Sequence, residues 1–114
     1  MNALKSAALV VTLTTVGAAH AGYATGPVGS VLVGRNGAEV YVELLTSAYD
    51  SWPCTSTHPN GYRYALLLTW PGAREMLATI LAAQASGKSL TIVGGAVCTV
   101  DASVENMNYV ILRP

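Results

Sequence analysis

VGSVLVGRNGAEVYVELL, residues 28–45, is the stretch from which the fold can be read. Val28 to Val33 reads as a strand interrupted by Gly29. Glu39 to Leu45 reads as a second strand, with Val40, Val42 and Leu44 alternating with Glu39, Tyr41 and Glu43. Arg35-Asn36-Gly37 lies between them. Asn-Gly flanked by alternating apolar residues is the strongest short hairpin signal, because both central residues of the favoured tight turn need positive φ. The two strands are expected to pair antiparallel.

Downstream, Thr46 to Gly61 breaks the periodicity and collects Ser, Thr, Pro53, Pro59, Asn60 and Gly61, so it reads as a long loop. Tyr62 to Leu68 is a third strand, apolar on both faces near its end. A helix follows, with Thr69 as N-cap, Pro71 in the first turn, and Ala73, Met76, Leu77, Ile80, Leu81 and Gln84 on one face. Gly87 ends it as a left-handed C-cap. Ser89 to Val93 is a strand, Gly94-Gly95 a bulge or bend, Ala96 to Val100 continues the chain through Cys98, and Met107 to Leu112 is the last strand. The order β-β-β-α-β-β is that of a five-stranded Greek-key barrel of OB-fold type. A one-helix α+β sandwich is the alternative.

Upstream, Lys5 is the single charge in a short leading segment, Ala7 to Ala19 is apolar, and Ala19-His20-Ala21 supplies the small residues of a secretory cleavage site. The apolar run is too short to span a bilayer, where about 20 residues are needed. Residues 1–21 are therefore read as a signal peptide, with an uncleaved anchor as the alternative, and residues 22–114 as one exported domain, periplasmic or secreted. The processed domain carries five Lys and Arg against six acids, a net charge of −1, with no basic footprint for nucleic acid. Two cysteines in an exported chain, Cys54 and Cys98, are read as one disulfide. With His58 the only histidine of that domain, no zinc site, other metal or cofactor is expected.

The Ala-rich helix entering Ala83-Gln84-Ala85-Ser86-Gly87-Lys88, followed by Leu90-Thr91-Ile92-Val93-Gly94-Gly95 and Cys98, resembles small exported bacterial OB-fold proteins without an assigned role. The layout is also similar to the receptor-binding B subunits of AB5 toxins, especially the subtilase-cytotoxin type. That resemblance implies a barrel tied by a disulfide, glycan recognition and a homo-oligomeric ring. No sugar-contacting motif of those subunits maps onto this chain.

Candidate ligand-binding residues gather in and beside the long loop: Tyr49, Trp52, His58 and Tyr62, with Asp50, Ser51 and Asn60 nearby. Aromatic rings cover the apolar face of a sugar while polar groups bond its hydroxyls. The structural alternative has Trp52 covering the barrel beside the disulfide and Tyr49 merely exposed. Ser51, His58 and Asp50 are the residue types of a hydrolase triad, but no strand-turn-helix elbow presents Ser51, so no catalytic residue is assigned. Ala78, Ala82 and Ala85 form a smooth helix face suited to an oligomer interface, or they serve helix propensity alone. The function expected is non-catalytic binding of a glycan, with a monomeric periplasmic protein-interaction module as the alternative.

Overall fold

The computed structural model describes residues 7–12, 20–36, 38–50, 53–54 and 58–114. Gly37, Ser51 and Trp52, on which the turn, triad and ligand expectations partly rest, lie outside them, as do most of residues 1–21. The domain is mostly β with one helix. Its elements are β1 (Tyr23–Val33), β2 (Glu39–Leu44), β3 (Tyr49–Asp50), β4 (Tyr64–Leu67), α1 (Ala73–Ser86), β5 (Ser89–Gly94) and β6 (Glu105–Leu112).

Five strands close into a ring in the order β1-β2-β4-β6-β5 and back to β1. The sheet is thus closed, unlike the open sheet of a sandwich. All ring pairs are antiparallel except β4–β6, where Tyr64 and Ala65 lie parallel to Glu105 and Asn106. The two-residue β3 adds to the first residues of β1, giving the expected loop a short strand that its composition did not announce.

Strand β1 serves both of its neighbours in the ring because it is long. Residues 23–27 pair with β5 and 28–33 with β2, and one extra residue of β1 bulges between Val28 and Val31. Gly29 sits in that bulge, where a Cβ would press on Glu43 and Leu45. The Gly29 carbonyl accepts a bond from Gln84 Nε2 of α1 at 2.7 Å. The hairpin to β2 closes with Gly34 N donating to Glu39 O at 2.7 Å, so residues 35–38 connect the strands rather than a two-residue turn.

The barrel interior is lined by Val40, Val42, Leu44, Tyr64, Leu66, Leu90, Ile92 and Met107, and α1 adds Ala73, Ile80 and Ala83. Two helix expectations need correcting. Thr69 is not the N-cap: Gly72, at φ 74, precedes the first helical residue, and no side chain caps it. Trp70 stands before Pro71, which disfavours helical backbone there, and residues 68–72, Pro71 included, run as turns ahead of the helix. Leu81 is 44% exposed, and Ala83 takes the buried place, because steps of three, four and three residues from Ala73 through Met76 and Ile80 reach 83. Gly87 does end the helix, at φ 68.

Ala96 to Val100 does not continue as a strand. Ala96 turns to φ 64, and the Asn106 side chain takes the amides of Thr99 (3.1 Å) and Val100 (3.3 Å) while its Nδ2 donates to Thr99 Oγ1 at 2.6 Å. Strand β6 starts at Glu105, two residues before Met107, because two polar residues buried there interrupt the apolar signal. A disulfide joins Cys54 to Cys98 and ties this segment to the long loop.

Candidate functional site

Three rings meet outside the barrel. Tyr41 of β2 lies 5.7 Å from the His58 ring and 6.1 Å from that of Tyr62, and His58 meets Tyr62 edge-on at 5.4 Å. Tyr41 points outward, as the alternation of β2 requires, yet it is only 9% exposed. Ala65, Val104, Leu32, Tyr62 and Val100 pack with it in a second, smaller apolar cluster. Alternation sets the direction of a side chain and says nothing of a loop folded over it. Burial pushes the Tyr41 hydroxyl above its ordinary pKa, and the charges of Glu39 and Asp101 push the same way.

His58, Pro59, Gly61, Tyr62 and Arg63 line a cleft of about 280 Å³ beside these rings. The imidazole is committed to its own turn, since Nδ1 accepts from the Asn60 amide at 3.1 Å. Asp101 has its pKa lowered chiefly by Ser103, whose hydroxyl and amide both donate to Asp101 Oδ1.

A second cleft, of about 390 Å³, is lined by Tyr23, Ala24, Thr25, Ala48, Tyr49 and Asp50 where β3 pairs with β1. Tyr49 is half-buried in its wall. Its hydroxyl donates to Leu44 O at 3.0 Å, the Arg63 guanidinium carbon stands 4.1 Å over its ring, and the Tyr64 ring is 6.3 Å away. Burial raises the Tyr49 pKa, the Arg63 charge pulls it back, and Glu43 adds to the rise. With one ring face covered and its hydroxyl bonded, Tyr49 holds the cleft in shape. Tyr23, 52% exposed, is the ring that faces solvent there.

The four expected ligand residues therefore divide. Tyr49 lines one cleft, His58 and Tyr62 line the other, and Trp52 lies outside the described residues. Arg63 belongs to both regions, lining the His58 cleft while its guanidinium covers Tyr49.

Sequence reasoning missed Tyr23 and Tyr109. Register sets Tyr23 beside Val93 and Val93 beside Tyr109, so the three share one outward row across β1, β5 and β6, with Tyr109 48% exposed. The alternation of Tyr23 and Thr25 with Ala24 and Gly26 was the available signal, hidden by taking β1 to begin at Val28. Ala78, Ala82 and Ala85 are exposed on α1, with the exposed Leu81 among them. Among the described residues no group of three or more His, Cys, Asp or Glu side chains is placed to hold a metal ion. Comparison of the chain with protein-family models, curated proteins and solved structures finds no match in any of the three.

Proposed function

We propose that this chain is an exported, non-catalytic binding module built on an OB-fold-like barrel, and that a glycan seats in the cleft between Tyr23 and Asp50. The observation that carries the reading is the cleft's chemistry. It sets one solvent-facing ring beside an exposed carboxylate and the Thr25 hydroxyl, in a wall held by Tyr49 and Arg63. A ring for the apolar face and oxygens for the hydroxyls suit a sugar. The OB-fold reading is supported by a closed five-stranded ring, by the single parallel pair, and by a helix between its third and fourth strands.

Export is supported by the disulfide and by Leu9, Val10 and Val11, which stand 67–89% exposed and outside the barrel core. Among the described residues no helix is long and apolar enough to cross a membrane. The non-catalytic reading is supported by Asp50 and His58 lining different clefts and by both cysteines being bridged. The exposed alanine face of α1 is where copies would meet in a ring, which would gain by multivalency.

A protein partner is the second reading, favoured by the outward row Tyr23, Val93 and Tyr109, two tyrosines and a valine side by side across three strands. One NMR titration of the labelled chain against a glycan panel separates the two. Shifts confined to Tyr23, Thr25 and Asp50, with Tyr23→Ala weakening Kd about tenfold (~1.4 kcal/mol) at unchanged Tm, support the glycan cleft. Shifts centred on His58 and Tyr62, or no response to any glycan, sink it.

A further inference from the structure

Glu105 is 1% exposed, and main-chain groups from two distant places meet its carboxyl. Oε2 accepts from Gly22 N at 3.0 Å and from Ala96 N at 3.0 Å, while Oε1 is buried without a hydrogen-bond partner. The surroundings are shaped for this group. A Cβ on Gly94 would overlap Oε2 and Cδ, and the left-handed turn at Ala96 aims its N–H at Oε2.

Gly22 is fixed too. It is buried, and its carbonyl accepts from Gly94 N at 2.7 Å, whereas His20 and Ala21 are exposed. Among the described residues, burial of the chain thus begins at Gly22, the residue after Ala21. A buried carboxyl with one oxygen unmet is costly, and burial holds this one above the ordinary Glu range. The titratable side chain facing it is Tyr64, its partner in the parallel pair, which burial keeps protonated.

We propose that Gly22 becomes the amino terminus of the processed chain and that its α-ammonium pairs with Glu105, so that removal of the leader completes the barrel's polar interior. The inference rests on the export reading above. A leader endopeptidase adds one water across the Ala21–Gly22 bond. The Ala21 carbonyl carbon takes the oxygen and leaves as the leader's carboxylate, and the Gly22 nitrogen takes up protons to become an ammonium. A peptide nitrogen offers one N–H; an ammonium offers three, enough to reach Oε1 as well as Oε2. The opposite charge then favours an ionised Glu105, against the effect of burial.

The test uses the full chain made in an export-competent host. Intact mass and N-terminal sequencing should place the first residue at Gly22. Titration of that α-amine by NMR should then give a pKa at least one unit above the ordinary range of about 7.7–8.0, with acylation at neutral pH about tenfold or more slower than for an exposed amine. In Glu105→Gln the amine should return to the ordinary range; if that variant does not fold, the wild-type titration decides alone. An uncut chain, or one cut elsewhere, overturns both this inference and the export reading at that bond. A chain that starts at Gly22 with an ordinary amine pKa and fast acylation overturns the ion pair and leaves export standing.

Discussion

Strand β5 is preceded by α1 and followed by residues 95–104, and the two connections are held in opposite ways. Helix α1 is held by apolar periodicity: Ala73, Ile80 and Ala83 are buried and Met76 and Leu77 partly so, while the other side faces water. Residues 95–104 have no periodicity. They are held by the bridge from Cys98 to Cys54, by Asn106 clamping Thr99 and Val100, and by Ser103 on Asp101. A repeating pattern suffices where many weak contacts add along one stripe. Irregular chain needs a few specific ones, each of which can be removed singly.

Cutting the cross-link should have the largest effect. Replacing Cys54 and Cys98 by Ser should lower the unfolding free energy in denaturant by about 4 kcal/mol, the chain-entropy value for a loop of this length. If the loss is that large while amide exchange at Thr99 and Val100 stays tied to global unfolding, the bridge acts through the unfolded chain. If exchange there becomes fast by itself, it acts by pinning the loop.

Ile80→Ala comes next. It empties a fully buried site where α1 meets the barrel, and Tm and denaturant midpoint should report a loss of about 3 kcal/mol. A loss below about 1 kcal/mol would mean that the helix is not part of the core.

Asn106→Ala removes the acceptor of two amides and should cost about 1–3 kcal/mol. Hydrogen exchange should rise at Thr99 and Val100 before it rises at Ile80. Equal acceleration at all three sites would erase the distinction between the two connections.

Leu81→Gln should change stability least, within about 0.5 kcal/mol by thermal unfolding, because Leu81 stands on the outer side of α1. A large loss would return Leu81 to the buried stripe.

The same contrast explains what could be read in advance. The β2 alternation, the helix and its Gly87 end depend on neighbours within a turn or two, and the sequence displays those neighbours directly. Thr69 was misread as a cap because its type fits, while Trp70-Pro71 blocks the path from it to the helix. Glu105 and Asn106 gave no strand signal, since their burial is made possible by Gly22 and Gly94 on one side and Thr99 and Val100 on the other. The aromatic and polar types around residues 49–62 pointed to a binding region. That they divide into two clefts about Arg63 follows from the pairing of β3 with β1, a contact across 25 residues of sequence with no local mark.

The single parallel pair has a consequence for the order of events during synthesis. Among the described residues, 105–112 supply the strand that joins β4 to β5, so β1, β2 and β4 can be made and paired while the ring still stands open. Until β6 arrives, β4 presents an unsatisfied edge, and the contacts that cover it span some 40 residues of chain. Closure of the barrel is a late, long-range event, slow by its topology, and the half-built sheet is the species most exposed to pairing with a second nascent chain.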